Sequence, residues 1–418
     1  MTDEAVSEPA PRELVEPVRP DVPRAVIDDR AAFLAAVDVI AAGRGPIAID
    51  AERASGYRYS QRAYLIQVFR RDAGSFLFDP PAIGEMSALG AAGRDEEWII
   101  HAATQDLSCL REVGIDPRRI FDTELAARLL GIPRVGLGPV VEELLGIHLA
   151  KAHSAVDWST RPLKQDWLDY AALDVELLVD VRDRLAEMLA AQGKTEIAAE
   201  EFQSELDRDL LPVRAEPWRR LSGLHTVRGA RNLAVARELW LARDAYARET
   251  DTAPGRLVPD ASLVAAARVM PGSKRELAAL KEFNGRASRS QLDRWWDAIE
   301  AGRTTTDLPQ ARIPGDALPP PRAWAERNPE AAARLAAARA AIAEIAERLN
   351  LPVENLLTPE YLRRVAWQPP EPATSLEIGQ ALARLGARPW QVAETSQRIA
   401  ESFVEAAQVL EQPSEPES

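Results

Sequence analysis

Everything in this chain that reads as β-strand lies in its first half. Between residues 25 and 190 four short apolar runs, PIAIDAE, AYLIQVF, SFLFDP and EWIIHA, alternate with helical periodicity at 106–113, 122–131, 139–145 and 167–190. Strands leading in and helices following give an α/β domain. After Pro212 the strand patterns stop. Segments 229–249, 260–268, 273–281 and 288–301 all carry helical spacing, with Asp260 and Ser288 placed as N-caps and Pro254, Pro259 and Pro271 as punctuation. The chain is therefore expected to fold as a sheet-containing unit over 25–212 followed by a compact helical one over 213–303. A Pro-rich stretch at 304–324 reads as an extended linker, and a second helical block covers 325–410. Residues 1–24 and 411–418 are rich in Pro, Glu and Ser without apolar periodicity, which predicts disorder at both ends.

The two helical blocks resemble each other weakly. ARELWLARDAYARETDTAPGRLVPDASLVAAARV and ARLAAARAAIAEIAERLNLPVENLLTPEYLRRVAW each run from an Arg/Ala-rich helix through a Pro-containing loop to a shorter helix, the pattern of a duplication.

Composition narrows the class. With 418 residues, 46% hydrophobic and 28% charged, the chain can build several buried cores. Cys109 is the lone cysteine, which excludes an intramolecular disulfide framework and a Cys-based zinc cluster. No apolar run approaches the roughly 18 residues of a membrane span and the first 24 residues lack a signal-peptide layout, so a soluble cytoplasmic protein without a membrane partner is expected. The net charge of −14 seems to oppose a nucleic-acid partner, since phosphate neutralisation needs Lys and Arg. By segment the average dissolves: 23 basic and 38 acidic residues in 1–213 (−15), 16 and 11 in 214–300 (+5), 12 and 16 in 301–418 (−4). The middle segment is the basic one.

Five residues carry the chemistry. In IAIDAE, Asp50 and Glu52 are two apart, so both carboxylates face the same side of a strand; alone they could be solvated at the strand mouth or paired with Arg53. EWIIHA leads into TQDLSCLREVG, placing Asp106 at the start of a helix, where a capping role would also account for it. DYAALDVELL puts Tyr170 and Asp174 four apart on one helical face. Together the four carboxylates form the oxygen-only set that a pair of hard divalent cations requires. Two such ions about 3.5 to 4 Å apart can activate a water and stabilise the leaving oxygen of a phosphoryl displacement.

The ordered set D-x-E (50, 52), H-A-x-x-Q-D-L (101–107) and Y-x3-D (170, 174) resembles the three exonuclease motifs of the DEDD superfamily in its tyrosine-containing branch. Y-x-x-R-A-Y-L-I-Q-V-F (59–69), F-D-T (121–123) and D-W-S-T-R-P-L (157–163) are similar to ribonuclease D, and the basic segment with GRLVPDASLVAAA and KEFNG resembles an HRDC domain. The resemblance implies an α/β fold with an RNase H-like DEDD exonuclease domain, followed by two small all-α, HRDC-type domains, the second diverged. It implies that Asp50, Glu52, Asp106 and Asp174 ligate two Mg²⁺ or Mn²⁺ ions, Asp50 bridging, while Tyr170 positions the attacking water. Two positions depart from the family pattern: Ala51 where Thr is frequent, and Trp167 where Gln is common.

Further candidates have bland alternatives. Tyr64, Gln67, Lys151 and Arg161 are candidates for substrate contact, against strand packing and surface solvation. Trp218, Arg219, Arg220, Arg228, Arg231, Lys274, Arg275, Lys281, Arg286 and Arg289 are candidates for a phosphate-binding face with a stacking aromatic, against a scattered solvated surface. His101 is read as a strand-end structural residue, Cys109 as core, and His148 with His153 as lacking the further ligand that zinc needs. The expected function is a metal-dependent 3′–5′ exoribonuclease trimming structured RNA, such as tRNA precursors, to nucleoside 5′-monophosphates. A 3′–5′ DNA exonuclease and a catalytically silent RNA-binding adaptor are the alternatives.

Overall fold

The structure, a computed structural model, describes Val15 and residues 23–149, 155–210, 214–283, 285–311 and 318–411. The terminal stretches expected to be disordered lie largely outside these residues. Within the first of them, Val15 bridges to Ile147 and Arg24 makes a two-pronged ion pair with Glu176.

One mixed sheet organises the first half. Its strands are β1 (Val26–Ile27), β2 (Arg44–Arg53), β3 (Ala63–Arg71), β4 (Gly74–Phe78), β5 (Trp98–Ile100) and β6 (Ile120–Asp122), in the order β1-β4-β3-β2-β5-β6. The centre, β2-β3-β4, is antiparallel, and β5, β6 and β1 add parallel to it. All four anticipated strands are present; β1 and β6 have two and three residues, too few for alternation to show. The helix anticipated over 167–190 comes in two pieces, Gln165–Glu176 and Leu178–Ala191.

Alternation along β2 sorts its side chains cleanly. Ile47, Ile49 and Ala51 join Ile66, Val68, Phe33 and Trp98 in the main core on one face. Ala48 instead packs with Val175, Leu178, Val179 and Ile99, and Leu65 with Leu168, Ala171 and Ala172. The second face thus lies under helices Gln165–Glu176 and Leu178–Ala191, and Asp50 and Glu52 share it with Ala48.

The helical half holds two further cores. Trp218, Leu239, Phe283 and Trp295 anchor one, Trp324, Ile342, Leu382 and Phe403 the other. In the first, Ala230–Thr250 and Leu292–Thr304 approach so closely that a Cβ on Gly302 would lie 2.5 Å from the Val235 Cα. The anticipated caps are not used. Pro259 precedes the helix that begins at Asp260, because the Asp260 carboxylate is held by Arg243 and the Ser222 N–H. Ser288 is buried inside the turn Arg286–Ser290, which starts two residues earlier. Trp324, at the end of the stretch read as linker, is wholly buried in the last core and donates its indole N–H to the Pro319 carbonyl.

The weak internal repeat reappears as matched elements. Ala230–Thr250, Pro254–Leu257 and Asp260–Val269 correspond in order and type to Pro329–Arg348, Val353–Leu356 and Pro359–Trp367. Just beyond each long helix sits a polar residue with left-handed backbone, Asp251 (φ 43°) and Asn350 (φ 47°). The following amide returns to a helical carbonyl five residues back, Thr252 to Ala247 and Leu351 to Ala346, a shared stop signal.

Both helical units dock on the sheet domain through polar contacts. Asn350 donates to the Leu130 carbonyl, Lys194 to those of Leu129 and Asn350, and Arg388 grips Glu201 through two hydrogen bonds. Among the described residues no helix is long and apolar enough to cross a membrane.

Candidate active site

Strand β2 delivers Asp50 and Glu52 to the face covered by helix Gln165–Glu176, and that helix brings Tyr170 and Asp174 down onto them. One oxygen from each of Asp50, Glu52 and Asp174 lies within 4.8 Å of the other two. Asp106 reaches the same place from the turn after β5: it hydrogen-bonds the Asp50 side chain, and Arg53 stands 3.6 Å from it. The phenol of Tyr170 is hydrogen-bonded to Asp174. All five residues line one cleft of about 1040 Å³.

Asp106 directly precedes helix Leu107–Glu112 but makes no side-chain cap to it, so the capping explanation for this residue fails. The turn that carries it is fixed by Asp122 at the end of β6. That buried carboxylate accepts from the N–H groups of Ala102 and Ala103 on one side and of Glu124 and Leu125 on the other. The F-D-T motif therefore acts as a bracket for the site. D-W-S-T-R-P-L is a second bracket: Trp158 is fully buried against Trp167, and Arg161 is tied to Asp79 and to the carbonyls of Tyr64, Trp158 and Thr160.

Electrostatically the bare cluster is under tension. Burial, then the charges of Asp50, Asp174 and Asp106, pushes the Glu52 carboxyl up to about 10. Burial also raises Asp50, Asp106 and Asp174, and burial followed by the neighbouring carboxylates raises Tyr170. Four carboxylates this close cannot all ionise without compensating positive charge, and Arg53 brings one charge. An all-oxygen set with a surplus of negative charge, open to a cleft, fits hard divalent cations such as Mg²⁺ or Mn²⁺.

Several candidates for substrate contact are placed elsewhere. Tyr64 is 4% exposed, its ring packed with Leu65 and Trp158 and its hydroxyl donating to Asp251. Gln67 is wholly buried. Arg161 is consumed by the bracket above. Trp218 is a core residue, with the Arg219 guanidinium 4.4 Å from its ring centre and Arg219 also paired to Glu216, so neither offers a free stacking or phosphate-binding group. Lys274 pairs with Asp293. Arg220, Arg228, Arg275 and Lys281 are exposed, Arg228 bonding the His225 carbonyl. Lys151 and His153 lie outside the described residues. His101 bonds Thr123 through Nδ1 and lines the cleft. The Cys109 thiol, pushed by burial up to about 12, is no nucleophile.

The rim was not legible beforehand. Ser55, Gly56 and Tyr57 line the cleft, and the loop that holds them is clamped by the basic helical unit. Ala253 N–H donates to Tyr57 O, Arg256 to Gly56 O at 2.7 Å, Ser60 N–H to Asp251, and Tyr59 hydroxyl to Asp244. The Arg256 guanidinium lies 3.9 Å from the Tyr57 ring centre. Nothing in residues 53–62 alone indicates a partner nearly 200 positions away.

Comparison with known proteins agrees with this geometry. The family described as 3′-5′ exonuclease matches residues 25–190, HRDC domain matches 232–299, and 3′ to 5′ exonuclease C-terminal domain matches 317–403. Ribonuclease D of Escherichia coli (strain K12) is 32% identical over 280 residues, covering 66% of this chain and 72% of that one. A crystal structure of a protein from Bifidobacterium adolescentis superposes with TM-score 0.86 at 36% identity, covering 94% of this chain and all of that one. The Escherichia coli RNase D crystal structure does so with TM-score 0.67 at 26% identity, covering 93% and 99%. The chain belongs to the ribonuclease D family and is a metal-dependent 3′–5′ exoribonuclease.

Proposed function

We propose that the protein trims the 3′ ends of structured RNA, tRNA precursors among them, and that Asp50, Glu52, Asp106 and Asp174 are the residues that would hold two Mg²⁺ or Mn²⁺ ions. The observation that carries this reading is the convergence of three carboxylates within 4.8 Å, with Asp106 bonded to the first and Tyr170 to the last, in an open cleft. Divalent ions bound there supply charge neutralisation and an activated water.

The chain's own groups set the geometry. Tyr170, a phenol whose ordinary pKa is about 10, carries its proton at neutral pH. Its role is thus to orient the attacking water by a hydrogen bond rather than to take a proton. Water adds to the phosphorus of the last phosphodiester, the bond from phosphorus to the O3′ of the penultimate residue breaks, and that oxygen leaves as a hydroxyl. The products are a nucleoside 5′-monophosphate and a chain one nucleotide shorter. Contact with phosphates of the RNA body is assigned to Arg220, Arg228, Arg275 and Lys281 of the basic unit, a reading supported by their exposure.

Preference for structured RNA is supported by the relative from Escherichia coli, described as an exoribonuclease involved in structured RNA processing. Matched substrates test it: a tRNA precursor with a 3′ trailer, the trailer alone and its DNA counterpart, each with Mg²⁺ or Mn²⁺. Faster trimming of the precursor supports the proposal. Faster shortening of the DNA would move the enzyme to DNA metabolism.

A further inference from the structure

Gln67 has a fully buried side chain whose amide nitrogen and oxygen both lack a hydrogen-bond partner among the described residues. An interior amide left in this state is costly, and such groups in native proteins call for a specific explanation. Its position supplies one. In the β2/β3 ladder Gln67 is the direct partner of Asp50, and directly opposed residues of an antiparallel pair point to the same face with Cβ atoms about 4.5–5.5 Å apart. The flanking residues confirm the side: Ile66 and Val68 belong to the main core behind the sheet, while Leu65 packs with Leu168, Ala171 and Ala172 of helix Gln165–Glu176. Gln67 therefore lies between sheet and helix, beneath the carboxylate cluster, out of reach of RNA.

Asp50 needs such a neighbour. Half-buried at the wall of the cleft, it has one carboxylate oxygen within 4.8 Å of oxygens of both Glu52 and Asp174. To serve as a ligand it must be ionised, and ligating carboxylates are held by outer hydrogen bonds that fix their orientation. We propose that Gln67 is a positioning residue for Asp50, its amide N–H₂ donating to the Asp50 carboxylate, directly or through one buried water, when the metal site is filled. The proposal rests on the reading of Asp50 as a metal ligand.

The test is calorimetric titration of Mn²⁺ into the full chain, comparing wild type, Gln67→Met, Asp50→Asn and the double variant. Met matches the shape of Gln without a donor, so packing survives. We expect Gln67→Met to keep its melting temperature yet bind Mn²⁺ about 10- to 100-fold more weakly, with no further loss when Asp50 is already Asn. Wild-type Mn²⁺ affinity in Gln67→Met, alongside weakened binding in Asp50→Asn, overturns the role of Gln67 alone. Unchanged affinity in Asp50→Asn as well overturns the ligand assignment beneath it. Should Gln67→Met not fold, a crystal structure of the unmodified protein with Mn²⁺ decides: an amide nitrogen bonded to Asp50 or to a water on it upholds the proposal, and one bonded elsewhere overturns it.

Discussion

Arg256 belongs to the basic helical unit, yet it props a wall of the nuclease cleft, and removing it should weaken RNA handling without unfolding either domain. Its Nε donates to the Gly56 carbonyl at 2.7 Å and its guanidinium lies 3.9 Å from the centre of the Tyr57 ring. A hydrogen bond from a charged donor contributes about 1.5–3 kcal/mol and an exposed cation–π contact about 0.5–1 kcal/mol. Arg256 is solvent exposed, so both are discounted for screening to a total of about 1–2 kcal/mol, a factor of roughly 5–30 at 25 °C. Because Tyr57 lines the cleft without belonging to the carboxylate cluster, the loss should fall on KM more than on kcat. The assay is steady-state shortening of a 5′-labelled RNA by wild type, Arg256→Lys and Arg256→Ala. Arg256→Ala should lose about 5- to 30-fold in kcat/KM, chiefly through KM, Arg256→Lys should lie between, and both variants should still unfold cooperatively, melting only a few degrees below wild type. A kcat/KM within twofold of wild type would refute the reasoning, as would a loss confined to kcat.

Two further outcomes concern stability. Arg388→Ala strands Glu201, whose side chain is 7% exposed and would keep only the Trp390 indole N–H from that unit; breaking a buried pair on one side costs about 3–5 kcal/mol, and thermal unfolding should show early release of the C-terminal unit. Glu205 is pushed up to about 9, first by burial and then by Asp122. With a folded value above the unfolded one of about 4.3, the folded state holds the extra proton between them. The stabilisation is full below about pH 4 and is lost as pH rises towards 9, at up to about 1.4 kcal/mol per pH unit. Glu205→Gln should flatten that slope and melt higher than wild type at pH 8, with little difference at pH 5; parallel slopes would rule the assignment out.

Legibility in the sequence followed the range of the interactions. Asp50 and Glu52 could be placed on one face because strand alternation is local, and Tyr170 and Asp174 because helical spacing is. The convergence of these pairs with Asp106 depends on strand order, which the motif order implied through family resemblance rather than through periodicity. Tyr64, Gln67 and Trp218 misled as substrate contacts for a common reason: a polar or aromatic residue next to a motif reads as reactive, whereas burial is set by what packs over it. Gln67 falls under helix Gln165–Glu176, about 100 positions later, Tyr64 is enclosed with Trp158 and held by Asp251, and Trp218 lies under its own helical core. The clamp from Asp251 and Arg256 onto residues 56–60 spans nearly 200 positions, and no local pattern encodes it. The internal repeat was legible because both copies run from an Arg/Ala-rich helix through a Pro-containing loop to a shorter helix, all local patterns; the shared left-handed stop at Asp251 and Asn350 appears only in the fold.

The most direct test of the site is a time course on RNA labelled at its 5′ end, using wild type and Asp50→Asn with Mg²⁺, with Mn²⁺ or with EDTA. The account predicts a ladder that shortens one nucleotide at a time with wild type and metal, and full-length RNA with EDTA or with Asp50→Asn, which should still bind RNA. A ladder that persists in EDTA, or that Asp50→Asn produces at the wild-type rate, would contradict the metal-dependent carboxylate site.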